Sequence, residues 1–239
     1  MRAFRWILLP AICSILAAQD HPFSIGEKLV YNAGFRLLSV GTTIMELTGP
    51  DTIGADTTYH VLSRVQTFPV FNRLYRINDR VDLWLDRRSL ELRRMKRNIN
   101  EGRFHRRDSA RVDVQAGLIY TRTGTLELSG TVLDPIGAIY YFRTLELNLG
   151  DRVQITLFDG RRLRPVAVEV SKIVSIKVPA GRFECLLLVP SSLDDRPMTK
   201  VNGFLRLWLT NDAARIPVRV EQRTKYGTMV LKMTEYYQE

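Results

Sequence analysis

Apolar and polar residues alternate with a period of two along most of the chain, and turn-forming residues interrupt them about every eight to fifteen residues. In one segment Ile216, Val218 and Val220 alternate with Arg219 and Glu221. This pattern is typical of a strand with one apolar face and one face in water. Short turns favour antiparallel pairing, because parallel strands need long crossover connections. The strands predicted in this way are residues 28–37, 40–48, 57–67, 73–86, 89–99, 103–115, 118–131 with a break, 183–190, 203–210, 216–225 and 228–236.

A further hairpin is predicted around Asp159-Gly160. Residues 153–157 alternate before this pair, and Val166, Val168 and Val170 alternate after it. An Asp-Gly pair suits the tight turn of a hairpin, because glycine adopts a positive φ without steric cost.

Residues 134–144 lack the alternation and are predicted to form a short helix. Asp134 can cap the N-terminus, and Pro135 suits the first turn, where its missing N–H would have had no partner. Apolar residues lie on nearly all sides of this helix, so we expect it to be buried. The prediction is therefore a mainly β fold: a strongly curved antiparallel sheet, or an open β-barrel, with one short buried α-helix at about residues 134–144. Such curvature also protects the edges of a sheet with many strands.

Residues 1–18 are predicted to be a cleaved secretory signal peptide. Arg2 and Arg5 precede an apolar run that ends in the small pair Ala17-Ala18. The run is too short to span a bilayer. Residues 19–239 contain no obvious linker or internal repeat and are predicted to form a single β-rich domain. We expect this domain to be exported to the periplasm or cell envelope and to be soluble or peripheral there.

The composition argues against several classes of protein. Hydrophobic residues make up 45% of the chain, which is too many for an intrinsically disordered protein. Two cysteines and three histidines leave little material for a disulfide framework or a multinuclear metal site. Cys185 follows the predicted signal and has apolar neighbours, which indicates a buried thiol rather than a nucleophile. No metal-ligand spacing and no glycine-rich phosphate loop occurs, so no cofactor is expected.

A series of short motifs occurs in order along the predicted mature chain. They are Phe23-x-x-Gly26-Glu27-x-Leu29-x-Tyr31, Gly41, Asp134-Pro135, Tyr140-Tyr141-Phe142-Arg143, Gly150-Asp151, Val178-Pro179-Ala180-Gly181-x-Phe183, Leu207-Trp208-Leu209-Thr210-x-Asp212 and Arg215-Ile216-Pro217-Val218. In order and spacing the series resembles the exported bacterial family of domain of unknown function 3108, over essentially all of the mature chain. The resemblance implies an envelope protein of Gram-negative-type bacteria with a mainly β fold, and it brings no established activity and no catalytic residues. A looser similarity of fold links such proteins to periplasmic lipoprotein carriers.

Residues 87–107 form a strongly basic tract that is not typical of this family. The tract holds nine Lys or Arg residues against only Glu91 and Glu101. On a hairpin these cations would cluster on one ribbon, where guanidinium groups bind phosphate or carboxylate oxygens through two donors. We expect the ribbon to bind an anionic membrane surface; the alternative is a solvated face that favours solubility. The candidate residues are Arg93, Arg94, Lys96, Arg97, Arg103, Arg106 and Arg107.

Nucleic acid would also suit this charge, but two observations argue against it. The predicted signal peptide directs the chain away from nucleic acid, and no nucleic-acid-binding motif accompanies the basic tract.

Five aromatic residues are candidates for a hydrophobic binding site. A helix that lies against a curved sheet can enclose a cavity lined by apolar side chains, and such cavities hold acyl chains or other hydrophobic ligands. The alternative is an ordinary filled core. The candidate residues are Tyr140, Tyr141 and Phe142 on the helix and Trp84 and Trp208 on strands.

Asp82 and Asp86 flank Trp84 on one predicted strand face and are the candidate catalytic pair. Glycoside hydrolysis uses two carboxyl groups, one protonated and one ionised. Nearby arginines would keep both groups ionised, so salt bridging across strands is the alternative. No serine nucleophile elbow occurs, and a lone histidine on a strand, such as His60, is usually structural.

These observations favour a non-enzymatic periplasmic or cell-envelope protein that binds a hydrophobic or lipidic envelope component. Its expected partners are a lipid, a lipoprotein or an anionic membrane surface. One alternative is an interaction module that docks on an envelope protein complex, and a second is a cell-wall or glycan hydrolase that uses Asp82 and Asp86. The ligand and the oligomeric state do not follow from the sequence.

Overall fold

A computed structural model describes residues 21–35, 38–54, 56–193, 205–224 and 227–238. The predicted signal peptide, residues 1–18, lies outside the described residues. Within them the chain forms fifteen strands, one 3₁₀ turn and one α-helix.

The first half of the chain forms eight strands. They are β1 (Lys28–Phe35), β2 (Leu38–Ile53), β3 (Asp56–Thr67), β4 (Asn78–Asp86), β5 (Leu92–Glu101), β6 (Phe104–Asp113), β7 (Leu118–Thr121) and β8 (Gly124–Glu127), with a 3₁₀ turn at Pro69–Phe71 between β3 and β4. The second half forms the helix and seven strands. They are β9 (Val132–Leu133), α1 (Pro135–Arg143), β10 (Arg152–Phe158), β11 (Leu163–Val178), β12 (Gly181–Ser192), β13 (Leu205–Thr210), β14 (Pro217–Thr224) and β15 (Gly227–Tyr237).

All fifteen strands belong to one sheet. It consists of a first meander, β1–β8, and a second half, β9–β15, and the two are joined by the pairing of the first strand with the last. The strand order is β8-β7-β6-β5-β4-β3-β2-β1-β15-β14-β13-β12-β11-β10-β9. The first and last strands pair at its middle, from Lys28 opposite Tyr237 to Phe35 opposite Met229. Neighbouring strands are antiparallel except β9 and β10, which are parallel. The helix supplies the crossover that parallel pairing requires.

The sheet curls until its two edges approach each other. The edge strands β8 and β9 are consecutive in the chain, and only residues 128–131 separate them. Five residue steps span at most about 18 Å, so Glu127 at the end of β8 and Val132 at the start of β9 cannot lie further apart than this. No ladder joins β8 to β9 in the described strands, and the sheet is therefore strongly curved but unclosed. This confirms the predicted fold class, a mainly β chain with one helix.

The helix forms where the sequence predicts it. Asp134 is the N-cap, and one of its carboxylate oxygens accepts a hydrogen bond from the Ile136 N–H at 2.8 Å. Pro135 occupies the first turn, and the helix ends at Arg143 before Thr144. Among the described residues no helix is both long and apolar enough to cross a membrane.

The helix runs between the two ends of the curved sheet. It starts at the end of the sheet that carries the connections 68–77 and 102–103, which we call the loop end. It finishes at the end that carries the connections 144–151 and 211–216, which we call the exit end. Tyr140 packs in the larger core cluster, whose residues come from both halves of the chain, whereas Ala138 and Phe142 pack in a second cluster with residues of β9–β13. The helix is therefore buried against the sheet, as predicted.

Gly137 allows the helix to approach the sheet closely. A Cβ atom at this position would lie 3.1 Å from Cδ2 of Leu85 on β4, which is tighter than ordinary packing. A larger residue here would require the Leu85 side chain or α1 to shift, and the dense packing of a protein core resists such shifts.

A fully buried ion pair holds the exit end of the helix. Both terminal nitrogens of Arg143 bind Glu27, at 2.6 Å to Oε1 and 2.6 Å to Oε2, and the side chains of both residues are 0% exposed. Arg143 also donates to the Ala214 and Pro22 carbonyl oxygens, at 3.2 Å each. Burial opposes the charge on the guanidinium, but the Glu27 carboxylate raises the pKa of Arg143 above its ordinary value.

Several details of the predicted strands are wrong. The strand predicted at residues 40–48 continues to Ile53. Residues 73–77 form a connection rather than the start of a strand, and β4 begins only at Asn78. The predicted strand 118–131 is indeed broken, but Val132 and Leu133 form a separate strand that pairs in parallel with β10. Alternation cannot predict such a pair, because its partner lies beyond an intervening helix.

Removal of one partner from the Arg143–Glu27 pair should destabilise the fold strongly. The substitution Glu27→Gln leaves the guanidinium buried without a counter-charge, and we expect a loss of about 3–5 kcal/mol in the free energy of unfolding, measured by urea denaturation. The double variant Glu27→Gln/Arg143→Met should recover part of this loss, because no uncompensated charge remains.

Glu46→Gln is the matched control. The Glu46 carboxylate pairs with Lys28 at 3.3 Å and with Arg64 at 3.7 Å, and both partners are exposed. Such pairs contribute less than about 1 kcal/mol. If Glu27→Gln destabilised the protein no more than Glu46→Gln, the buried pair would not hold the helix.

Candidate functional site

The basic tract lies on the β5–β6 hairpin as predicted. Two of its seven candidate residues, Arg93 and Arg97, bind carboxylates of the protein itself and do not contribute to an exposed cationic surface. Arg93 is largely buried and contacts three carboxylates, those of Asp56, Asp86 and Glu91, at 3.2 Å each. Its charge is therefore neutralised within the protein. The placement of Arg93 on an anion-binding surface is wrong.

Arg97 is the second of these residues, and it connects three parts of the fold. Its Nη2 atom binds the Asp134 carboxylate at 2.7 Å, and its Nη1 atom donates to the Asp159 carbonyl oxygen at 2.6 Å. It thus holds the N-terminus of α1 and the β10–β11 turn against β5. Burial raises the pKa of Asp134, and the charge of Arg97 opposes this rise. The placement of Arg97 on an exposed ribbon is also wrong, because the side chain faces the interior.

Arg94 and Lys96 lie on the outer face of the sheet, where they contact Trp84. The Arg94 guanidinium lies 5.1 Å and the Lys96 ammonium 5.6 Å from the centre of the indole ring. On the other side of Trp84 the ring of His60 stacks at 4.7 Å. A similar contact occurs between β6 and β7, where the Arg111 guanidinium lies 5.3 Å from the centre of the Tyr120 ring.

The remaining candidates lie at or near the tip of the hairpin. Arg103 and Arg107 are exposed, while Arg106 is half-buried and pairs with Asp108. Binding of an anionic surface by Arg94, Lys96, Arg103, Arg106 and Arg107 stays a prediction.

The five aromatic candidates do not line one common cavity. Tyr140 and Phe142 are buried in the core, and Tyr141 packs against Phe142. Trp84 lies on the outer face, where its indole N–H donates to Asp51 at 2.7 Å. Trp208 is buried in a cluster that includes Cys185 and is covered by the Arg219 guanidinium at 5.2 Å. The interpretation of these residues as one hydrophobic lining is therefore corrected, because strand alternation turns Trp84 away from the helix.

An open pocket lies instead beside the end of α1. It has a volume of about 670 Å³. Its walls come from the residues before β1, the segment after α1, the β13–β14 turn and the last described residue. The lining residues are His21, Pro22, Arg143, Thr144, Leu145, Glu146, Ala213, Ala214, Arg215 and Gln238. Of the residues predicted from the sequence as site residues, none lines this pocket.

Hydrogen bonds between distant segments hold the pocket walls in place. The Arg215 Nε atom donates to the Leu145 carbonyl oxygen at 2.8 Å, so the β13–β14 turn is bound to the segment after the helix. Asp212 stabilises that turn by accepting from the Ala214 and Arg215 N–H groups at 3.1 and 3.0 Å. Below the pocket the Glu27–Arg143 pair binds the helix to the start of β1.

The sequence did not predict this pocket, although several residues that line it or lie below it belong to the motifs of the resemblance. Glu27, Arg143 and Arg215 belong to three different motifs of the resemblance, and the structure brings them together. Tyr31 and Pro217, from two of the same motifs, are joined by a 2.7 Å hydrogen bond from the tyrosine hydroxyl to the proline carbonyl. The motifs themselves are visible in the sequence, but nothing in their spacing predicts that they meet in the folded chain.

The carboxylates of Asp82 and Asp86 are engaged in structural contacts. Arg80 binds both oxygens of Asp82 at 2.8 Å, and Asp86 accepts hydrogen bonds from the Arg88 and Ser89 N–H groups at 2.9 Å. Burial opposes ionisation of both groups, but these contacts lower the pKa of Asp82 and of Asp86 below the ordinary value. Neither group therefore supplies the protonated acid that glycoside hydrolysis needs.

Thr48, His60 and Asp82 form a chain of hydrogen bonds that sequence reasoning did not find. The Thr48 hydroxyl lies 2.8 Å from His60 Nδ1, and His60 Nε2 lies 3.0 Å from Asp82 Oδ1. This is the order of groups in a hydroxyl–imidazole–carboxylate relay. Because Arg80 occupies Asp82 and Trp84 covers the imidazole ring, we assign the chain to the support of the outer face.

The remaining chemistry of the described residues is sparse. The Cys185 thiol is buried, as predicted, and burial raises its pKa to about 11, so the reactive thiolate is suppressed. In the part of the chain that the structure describes, no group of three His, Cys, Asp or Glu residues could hold a metal ion.

Loss of Arg97 should destabilise the protein, whereas loss of a neighbouring exposed arginine should not. Arg97→Met leaves the buried Asp134 carboxylate without its ion-pair partner, and we expect the free energy of unfolding to fall by about 3 kcal/mol. Arg107→Met on the same hairpin is the control, with an expected change within about 0.5 kcal/mol. Equal effects in urea denaturation would contradict the assignment of Arg97 to the interior.

Asp79 should make the protein less stable as the pH rises. Burial and the nearby Glu101 raise its pKa to about 6, so the folded state binds the proton more tightly than the unfolded state does. Ionisation between about pH 4 and pH 6 therefore costs folding free energy. We expect Asp79→Asn to raise the free energy of unfolding by about 1–3 kcal/mol at pH 7.5 and to have little effect at pH 4.

Asp82→Asn provides the comparison of opposite sign, because contacts lower the pKa of Asp82. This variant should be destabilised at pH 7.5, with a difference that shrinks as the pH falls. Thermal unfolding followed by circular dichroism at the two pH values measures both effects, and the same pH trend in both variants would contradict the proposed environments.

Among the comparisons with known proteins, one solved structure supports the fold, and none adds an activity. The Brucella abortus structure described as a beta-barrel-like protein of domain of unknown function DUF1849 is similar, with a TM-score of 0.56 and 12% identity over 90% of this chain and 98% of that one. A DUF1089 family protein from Pseudomonas aeruginosa has a TM-score of 0.36 and 13% identity, over 91% of this chain and 95% of that one. No curated protein sequence matches this one. The model of the family described as protein of unknown function (DUF3108) matches residues 30–234, and the chain therefore belongs to the DUF3108 family.

Proposed function

We propose that the protein is a non-enzymatic cell-envelope protein that binds an amphiphilic, lipidic component of the envelope in the pocket at the exit end. The observation that carries this proposal is the pocket itself. Its volume of about 670 Å³ lies within the range of about 300–1,000 Å³ that is typical of small-molecule sites.

The lining suits a ligand with an apolar and a polar part. Pro22, Leu145, Ala213 and Ala214 offer apolar surface, whereas His21, Thr144, Glu146, Arg215 and Gln238 offer polar groups. An amphiphile can bury its apolar part against the first group and retain hydrogen bonds to the second. Because charges of both signs are present, the pocket favours no strongly charged headgroup.

The position of the pocket revises how such a ligand would be held. Tyr140 and Phe142 pack into the core, so the helix occupies the centre of the sheet. The ligand would therefore bind at the mouth of the curved sheet and not around the aromatic residues. The buried Glu27–Arg143 pair then serves to keep the base of the pocket rigid, which reduces the entropy lost on binding.

Ala214→Trp tests this proposal because an indole at this position would fill the pocket. Native mass spectrometry of the wild-type protein, purified from its own envelope, should show a bound amphiphile. The affinity of the variant for this amphiphile should fall at least about tenfold, which corresponds to roughly 1.4 kcal/mol of binding free energy, and its occupancy should be correspondingly lower. Ala116→Trp, at an exposed turn outside the pocket lining, should retain the ligand.

Both variants must unfold at the same temperature for this comparison to hold. A repeatedly ligand-free mass for the wild-type protein would refute the proposal, as would equal occupancy in the two variants.

A second candidate function, an interaction module of an envelope protein complex, is supported by the same packed centre. A filled core needs no internal ligand, and the sheet faces remain available to a protein partner. Affinity purification from cross-linked envelopes distinguishes the candidates. A stoichiometric protein partner together with an empty pocket would favour the interaction module.

A further inference from the structure

The loop end of the sheet exposes large apolar side chains that the core does not use. Val70 is 78% exposed and Leu74 is 86% exposed, both in the β3–β4 connection. Phe104 on the β5–β6 hairpin and Leu38 at the start of β2 are also exposed. Scattered apolar residues on a surface are ordinary, but two almost fully exposed ones in a single short connection indicate a site of interaction.

Backbone contacts hold these connections together as one surface. The Phe68 N–H donates to the Val40 carbonyl at 2.9 Å, which joins the β3–β4 connection to β2. The Gly102 N–H donates to the Arg76 carbonyl at 2.7 Å, which joins it to the β5–β6 hairpin. The exposure of Val70 and Leu74 is therefore a property of a structured surface.

Glycine at position 102 allows this junction to form. Its φ of 58° lies in the left-handed region, which favours glycine. A Cβ atom here would lie 2.9 Å from the ring of Tyr75, so the aromatic ring packs directly on the hairpin backbone. The last part of the β3–β4 connection, from Tyr75 to Ile77, is consequently supported by the tip of the basic hairpin.

Arginines accompany the apolar side chains in the same connection and at the neighbouring hairpin tip. The connection 68–77 contains Arg73 and Arg76, both exposed, and no acidic residue. The hairpin tip adds Arg103 beside Glu101, and Arg106 and Arg107 follow at the start of β6. Exposed apolar side chains with flanking arginines are the pattern of an interface with anionic lipid, where apolar groups enter the acyl boundary and cations contact the headgroups.

We propose that the loop end docks on an anionic bilayer, with Val70 and Leu74 inserted and Arg73, Arg76 and Arg103 on the headgroups. Charge complementarity favours a lipid surface over a protein groove, because each nearby cation contributes about 1 kcal/mol of attraction to anionic lipid. In this orientation the pocket at the exit end faces away from the membrane. The proposal deepens the expected role of the basic tract and does not depend on a ligand in the pocket.

Co-sedimentation with vesicles tests the proposal. The probes are vesicles of phosphatidylglycerol and phosphatidylcholine in equal amounts, and vesicles of phosphatidylcholine alone, both at low salt. The wild-type protein should bind the first and not the second, and added salt should weaken the binding. Val70→Ser/Leu74→Ser and Arg73→Gln/Arg76→Gln should each lower the partition coefficient at least about tenfold, since two apolar groups or two cations are lost.

The matched control is Leu149→Ser/Arg152→Gln, which removes one exposed apolar residue and one exposed arginine near the exit end. It should bind anionic vesicles as the wild type does. Ala214→Trp should also bind normally, so a failure of vesicle binding is distinguishable from a failure of ligand binding in the pocket.

Insertion can be detected separately from attraction. Relative to the mature wild-type protein, whose emission comes from Trp84 and Trp208, the added emission of Leu74→Trp should shift to the blue on anionic vesicles and be quenched by brominated lipid, whereas that of Leu149→Trp should show neither effect. Wild-type binding by Val70→Ser/Leu74→Ser, or an unshifted Leu74→Trp emission on bound vesicles, would overturn the proposal. Concentration-dependent dimerisation that Val70→Ser/Leu74→Ser abolishes, without vesicle binding, would assign the surface to a second copy of the chain and also overturn it.

Discussion

The fold depends on one buried ion pair, which joins the helix to the start of the first strand. Glu27 and Arg143 meet with both oxygens and both terminal nitrogens in place, although 116 residues separate them in the chain. Loss of a single partner from such a pair is strongly destabilising, because the remaining charge would be buried without compensation. The pair therefore places the exit end of the helix beside the middle of the sheet, where β1 and β15 also meet.

A second set of polar contacts, made by Arg97, fixes the N-terminus of the helix at the loop end of the sheet. Arg97 binds the N-cap residue of the helix and the β10–β11 turn, so it connects strands that lie far apart in the strand order. The described ladders leave the sheet unclosed, and these contacts provide cohesion across its interior instead. A charged residue from the basic tract is thus part of the interior of the fold.

Much of the fold was predictable from local patterns, but the candidate site was not. The alternation, the Asp134 cap and the Asp159-Gly160 turn all correspond to observed elements, because each depends on residues close in sequence. The function of individual side chains depends on which face of the sheet is enclosed. Trp84 and Arg97 show the difference: the sequence places both on strands, but Trp84 faces outward beneath Arg94, whereas Arg97 faces the helix.

The sequence by itself determined a mainly β chain with one buried helix, since hydrophobic periodicity and capping are local properties of the chain. It also determined the excess of arginine that distinguishes residues 87–107. Only the tertiary structure decided that β1 pairs with β15, that Arg93 and Arg97 form ion pairs with carboxylates of the protein, and that a pocket forms where four segments distant in sequence meet. The physical reason is that periodicity specifies which residues share a face, whereas long-range pairing and burial decide which face lies inside.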